Sequence, residues 1–413
     1  MQICIFEDNK YPDFYPLSYF RPVYDLVCGA RSLKEKILAD FLNIEISLHC
    51  RSYLKDIIKR DNPKCKVNEI KAGKCFFING RILSNGELKK LFRNNKEDCI
   101  YKTGEEIIAV SLSGKNLEKI KNDISGIPDF KKLKDLPVVE TDIKTVKYTW
   151  DLISENRDQL VYDIEHLKRK KKSKKSLKGF AGVHFVKPGK IYLGKNVTIK
   201  PGVVIDASGG PVLIDENAYI FPNAVIEGPV YIGENSKIKS GATIYENVSI
   251  GNVCKIGGEV EDTVIMSYSN KQHAGFIGHS YLGSWVNLGA DTNCSDLKNN
   301  YSTIRINLNG KSIDTGLQFL GLIIGDHSKS AINTMFNTGT IAGFSSNIFG
   351  AGFPDKFIPS FSWGGAEGFS TYDLKKGIET AKIVLNRRDI DFLPEDDKLF
   401  KYIFDLTANE RKK

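Results

Sequence analysis

Three histidines stand at points where a proton could be moved: His273, His279 and His327. A neutral imidazole titrates near pH 7, so it can take the proton an amine must lose as it attacks a thioester. His279 stands within Gly278 to Asp291 (GHSYLGSWVNLGAD), a stretch that also carries Tyr281 and Asn287. His273 and His327 lack that context, and His327, in GDHSK, is the reserve candidate. The other reading of His279 is a surface histidine at a corner of the chain. Near the N-terminus Arg21 and Arg31 are cations able to meet a phosphate, or else helix-flanking charges. Asn79 and Arg81 follow the apolar run Cys75 to Ile78, at a strand end, where α/β sheets collect their ligands.

Two kinds of element must position these groups. Up to residue 167 the chain alternates short apolar runs with helical stretches, which predicts an α/β domain. Strands are expected at Ile3 to Phe6, Ile44 to Leu48, Cys75 to Ile78 and Ile107 to Leu112. A helix should begin at Ser32, with Glu35 three residues on completing a capping box, and another should run from Trp150 to Leu167. Beyond Gly179 a period of six takes over. Ile214, Ile220, Ile226, Ile232, Ile238, Ile244, Ile250 and Ile256 recur without a gap, and Leu193, Ile199 and Ile205 hold the same spacing earlier. Neither a helix nor an ordinary strand has that period. Six residues make a short strand and a corner, three such segments close a triangular coil, and the repeated residue points inward onto its counterpart ~4.8 Å away. Pro201-Gly202, Glu216-Asn217, Pro222-Asn223 and Ser240-Gly241 read as corners. Phe276, Leu282 and Leu288 resume the period. The chain then leaves the prism as a loop from about Asn293 to Leu320, and Ile324, Phe336, Ala342 and Ile348 close it. Tyr372 to Asn386 and Asp396 to Asn409 read as capping helices. The expected division is 1–167, a basic linker at 168–179, a β-helix at 180–371 and a helical cap at 372–413.

Totals narrow the function classes. The net charge of +9 is local: Lys168 to Lys178 holds eight basic residues and no acid, and without it the chain would carry about +1. With no aromatic residue interleaved for base stacking, that run reads as a solvated linker rather than a nucleic-acid patch. No apolar run is long enough to span a membrane, and the first residues do not resemble a secretory leader, so a cytoplasmic protein is expected. The eight cysteines form no CxxC pair and read as buried free thiols.

The repeat region resembles the left-handed parallel β-helix of hexapeptide acyltransferases. Within it, GHSYLGSWVNLGAD is similar to the active-site stretch of bifunctional UDP-N-acetylglucosamine pyrophosphorylase/glucosamine-1-phosphate N-acetyltransferases, which show GH, a Tyr and VNxGAG. The resemblance implies that His279 is the catalytic base, that Tyr281 and Asn287 bind the sugar phosphate, and that Lys298 in the following loop binds phosphate. Asp291 departs from the family glycine, and Tyr281 follows His279 one residue sooner. Read without the family, Asn287 could equally ladder with polar neighbours on stacked coils. Before residue 168, Pro16-Leu17-Ser18 and Arg21 to Leu33 (RPVYDLVCGARSL) resemble sugar-1-phosphate nucleotidyltransferases, with Arg21 at the signature lysine. Glu7 to Tyr15 has no glycine to let backbone amides approach a triphosphate, and Asn79-Gly80-Arg81 replaces a Gly-Asp motif, leaving the metal ligand unknown.

The resemblance thus implies acetyl transfer from acetyl-CoA to an amino-sugar 1-phosphate in the β-helix. It also implies nucleotidyl transfer from a nucleoside triphosphate, with Mg2+, to a sugar 1-phosphate in the N-terminal domain, and a homotrimer. Two alternatives stay open: a nucleotidyltransferase whose β-helix is only an oligomerisation scaffold, and a non-catalytic sugar-phosphate-binding protein. The sequence names neither the sugar nor the base.

Overall fold

The computed structural model describes residues 1–412 except 42, 95–96, 122–123, 125, 134 and 168–176. Most of the basic run therefore lies outside the described residues.

Among these residues the N-terminal sheet has the strand order Lys66–Val67, Glu45–Leu48, Gln2–Phe6, Lys74–Asn79, Glu106–Ser113, Cys99–Thr103, Val138–Glu140. Gln2–Phe6 pairs in parallel with Glu45–Leu48 and Lys74–Asn79, whereas Glu106–Ser113 runs antiparallel. ICIF and CFFI are continuous apolar runs because their strands are covered on both faces. The helix Leu33–Ala39 carries the expected box: the Ser32 hydroxyl accepts from the Glu35 N–H, and the Glu35 carboxylate accepts from the Ser32 N–H. The stretch expected as one helix from Trp150 is two, Thr149–Ser154 and Asn156–Leu167.

The period of six becomes a left-handed parallel β-helix with three faces. On the first face Leu193, Ile214, Ile232, Ile250, Ile265, Leu282, Ile324 and Ala342 pair in sequence; on the second Ile199, Ile220, Ile238 and Ile256; on the third Ile205, Ile226, Ile244 and Val260. Above Ile256 the coil shortens and the inward place falls to Lys271, whose buried amine donates to the Gly257 carbonyl at 2.7 Å and the His273 carbonyl at 3.1 Å. The same shortening shifts the phase on the third face, so Ile277, not Phe276, is the interior residue there. Asn293–Cys294 is still a prism strand, and the loop departs after it, carrying the hairpin Arg305–Leu308/Lys311–Asp314.

The outer side of the first face is apolar and covered. Val264, Tyr281, Ile323 and Ile341 form one core with Leu17, Leu26, Trp150 and Leu152 of the N-terminal unit, while Leu213 meets Leu160 and Ile164. The C-terminal helices Leu374–Asn386 and Pro394–Leu406 bridge both units; Phe400 packs with Phe20 and Phe344, and Tyr402 stacks on Tyr53 at 4.2 Å. No helix among the described residues is long and apolar enough to cross a membrane.

Candidate functional site

His279 occupies the corner between the third and first faces. It holds φ +43 directly above Asp262, which holds φ +41, and the His279 N–H donates to the Glu261 carbonyl. Its ring is about one-fifth exposed. Nδ1 lies 2.8 Å from Asp296 Oδ2, and Nε2 lies 3.8 Å from Asp262 Oδ2. Phe319, half-way out of the departing loop, stacks on the imidazole with centroids 4.9 Å apart. Burial by itself would pull the imidazole pKa down. The hydrogen bond to Asp296 and the charges of Asp262, Asp296 and Glu261 outweigh it and hold the pKa above the ordinary value. With Nδ1–H donating to Asp296, Nε2 is left as the proton acceptor, the tautomer a general base needs. Asp262 is in turn held by the Asn247 amide at 2.7 Å, and the Asn247 carbonyl accepts from Asn156 of the N-terminal unit at 2.6 Å.

The structure does not bring the other expected residues to this corner. Tyr281 is fully buried in the joint between the units; its hydroxyl accepts from the Val27 N–H at 2.8 Å and donates to the Val27 carbonyl at 2.9 Å, which corrects its expected role on a substrate. Two residues past the His279 corner, the Tyr281 ring lies in the apolar joint between the units. Asn287 is exposed on the second face, where its backbone bridges to Asn270 and Lys329. The Lys298 amine donates to Ser302 and to the Thr303 carbonyl and braces its own loop. Asp291 adopts φ +55, a conformation glycine enters freely and aspartate tolerates, so the departure from the family glycine keeps the backbone corner.

The N-terminal candidates are likewise engaged. Arg21 forms a two-pronged ion pair with Asp326 of the β-helix, at 2.5 and 3.0 Å. Arg31 and Lys36 both bond Asp163, which is fully buried on the helix Asn156–Leu167. Asn79 and Arg81 converge on Asp8: the Asn79 amide donates to it at 2.9 Å and the Arg81 guanidinium at 2.6–3.0 Å, with Glu106 closing the other side. Burial would raise the Asp8 pKa, but the Arg81 bonds and charge hold it below the usual carboxylate value. Glu7 is paired with Arg51, but there burial prevails and holds its carboxyl above the usual value. The glycine-free segment after the first strand is thus fixed by two ion pairs in place of a backbone cradle. The carboxylates of Asp8 and Glu106 are both turned onto Arg81, and among the described residues no group of three or more His, Cys, Asp or Glu gathers as a metal site, so a magnesium ion would have to enter largely on the substrate phosphates.

Sequence reasoning missed Asp296, Asp262 and Phe319. A carboxylate in the loop just beyond the prism was the available signal for Asp296. Nothing in the local sequence ties Phe319 to His279, since a loop excursion brings it back.

Residues 3–172 match the family model described as sugar nucleotidyl transferase, and residues 211–246 that described as bacterial transferase hexapeptide (six repeats). A Sulfurisphaera tokodaii protein named bifunctional sugar-1-phosphate nucleotidylyltransferase/acetyltransferase is 34% identical over 97 residues, 23% of this chain and 24% of that one. A Methanococcus aeolicus protein named bifunctional protein GlmU is 30% identical over 221 residues, 52% of this chain and 47% of that one. An Escherichia coli protein named uncharacterized acetyltransferase YaiX is 38% identical over 149 residues, 36% of this chain and 65% of that one. The matched parts thus span from about a quarter to under two thirds of these curated relatives.

Proposed function

We propose that this chain, which joins a sugar nucleotidyl transferase domain to hexapeptide transferase repeats, is a bifunctional sugar-nucleotide enzyme. Its β-helix transfers an acetyl group from acetyl-CoA to an amino-sugar 1-phosphate. The observation that carries this is the His279–Asp296 pair beneath Phe319. The amine attacks the thioester carbonyl, the C–N bond forms, the C–S bond breaks, and Nε2 of His279 takes the ammonium proton and returns it to the departing thiolate. Asp296 fixes the tautomer and steadies the imidazolium. The N-terminal unit handles a sugar 1-phosphate and a nucleoside triphosphate, a reading supported by its family match and by the names of the relatives. A cytoplasmic homotrimer, with the exposed Phe319 corner facing a neighbouring copy, completes the reading.

Thiol release from acetyl-CoA in the presence of glucosamine 1-phosphate tests the first activity. Pyrophosphate release with N-acetylglucosamine 1-phosphate, Mg2+ and each nucleoside triphosphate in turn tests the second. Pyrophosphate release without thiol release would favour the scaffold alternative; neither would favour a binding protein.

A further inference from the structure

Between Asp296 and Phe319 the chain leaves the prism and comes back, so the two residues that hold His279 are the feet of one excursion. The feet are tied together. Leu297 and Phe319 form an antiparallel bridge, and the Leu320 N–H donates to the Asp296 carbonyl at 2.9 Å. Farther out, the Ile304 N–H donates to the Leu317 carbonyl, and the Ile304 carbonyl accepts from the Thr315 N–H. The ladder Arg305–Leu308/Lys311–Asp314 then carries the tip away from the prism. Bonds across the feet, the stem and the ladder make the excursion a stiff element rather than slack chain.

The tip lands on the other candidate site. The Asn309 amide donates to the Pro12 carbonyl at 3.0 Å. Ile306, Leu308 and Ile313 share a core with Tyr11, Phe14 and Leu17. That segment follows the strand Gln2–Phe6 and Asp8, at the strand end where α/β sheets collect ligands. Within it, the Asp13 carboxyl lies in electrostatic reach of Lys10, Arg81 and, from the hairpin, Lys311. Lys10 and Lys311 are both exposed, and among the described residues neither has a carboxylate at ion-pair distance. A phosphate supplies the counter-charge this rim lacks, and lysine meets it as a mobile point charge.

We propose that this excursion couples the two sites: a nucleoside triphosphate held by the N-terminal unit engages Lys311, displaces the hairpin, and so alters how Asp296 and Phe319 hold His279. The inference rests on the reading of the N-terminal unit as a nucleotide-handling domain. The contact with Lys311, made only when the ligand is bound, supplies the difference in free energy that a shift requires.

The test reads His279 without relying on turnover. Full-length protein is treated with diethyl pyrocarbonate, and carbethoxylation of each histidine is followed by peptide mass spectrometry. Calorimetry with UTP, CTP, ATP and GTP, each with Mg2+, first establishes which nucleotide binds and at what concentration it saturates. Saturation should change the rate at His279 by roughly fivefold or more, the ordinary range of coupling between sites. The exposed His184, in the first coil, should react as before. Lys311→Ala, saturated with the same nucleotide, should lose the response, and Lys311→Arg should keep it. Asn309→Ala, which cuts the tip from Pro12, should weaken the response and serves as the second variant should Lys311→Ala fail to fold by circular dichroism. Nucleotide binding with an unchanged rate at His279 overturns the coupling and leaves the proposed function standing. An equal response in wild type and Lys311→Ala overturns it as well. Binding of no nucleotide overturns the reading of the N-terminal unit and the coupling with it.

Discussion

At the scale of single residues, His279 and Arg81 show how the same chemistry can be catalytic or structural depending on what surrounds it. His279 faces solvent with one nitrogen fixed by Asp296, and His279→Ala should lower acetyl transfer by about 10²–10⁴-fold without altering the melting profile of the coils. Its raised pKa sets a sign for the pH dependence. The base works only when neutral, so activity should fall with pH at a point above that of an ordinary histidine. Asp296→Asn should move that acid limb to lower pH and slow the reaction, and a pH–rate profile of both proteins reads the shift. A limb that stays in place would remove Asp296 from the proton path. Stability runs the other way: the attraction between protonated His279 and its carboxylates is fully present below the unfolded histidine pKa and is lost as pH rises through the folded one. Arg81, by contrast, is almost wholly buried between Asp8 and Glu106. Arg81→Ala strands Asp8 beside a desolvated cavity and should destabilise the N-terminal unit by about 3–5 kcal/mol, measured by urea denaturation. Asp8, held below its ordinary pKa, contributes stability above the unfolded value that is lost as pH falls through the folded one.

At the scale of elements, the β-helix was legible because one physical requirement, an apolar residue inward at each turn, repeats until it cannot be missed. Ile232 is fully buried between Ile214 and Ile250, so Ile232→Asp should cost on the order of 4 kcal/mol or more, visible as a lowered melting temperature. The reading slipped where the repeat changes length. Lys271 does not look like an interior residue, and only its reach to two backbone carbonyls makes it one. In the N-terminal unit the expected strands appear within a residue or two, since apolar runs are a local signal. What the site residues touch was not legible. Arg21 and Asp326, Tyr281 and Val27, His279 and Asp296 are pairings fixed by how coils stack and units dock, and no spacing in the chain encodes them.

At the scale of the whole molecule, one face of the prism is the floor on which the N-terminal unit rests. Arg21 and Asp326 are its ionic fastening. Arg21→Ala leaves a fully buried carboxylate unpaired and should loosen the two units by about 3–5 kcal/mol. Asp326→Asn in the same chain should recover part of that loss, because a neutral amide tolerates burial better than an unpaired charge. Thermal unfolding of the two single variants and the double variant measures the coupling; additive losses would show that the pair does not fasten the joint.

The joint also sets a timetable for synthesis. Arg21 waits for a partner 305 residues later, and Tyr19 for Glu410, 391 residues later. At roughly 5–20 residues per second, the loop that carries Arg21 emerges about 15–60 s before Asp326 is made. For most of that interval, until Val264 and Tyr281 are made, Leu17, Val23 and Leu26, buried in the finished protein, have nothing from the β-helix to cover them. The newborn N-terminal unit is therefore the stage at which a holdase chaperone has most to bind, and ribosome-bound chains halted near residue 200 should recruit one more strongly than chains halted past residue 406.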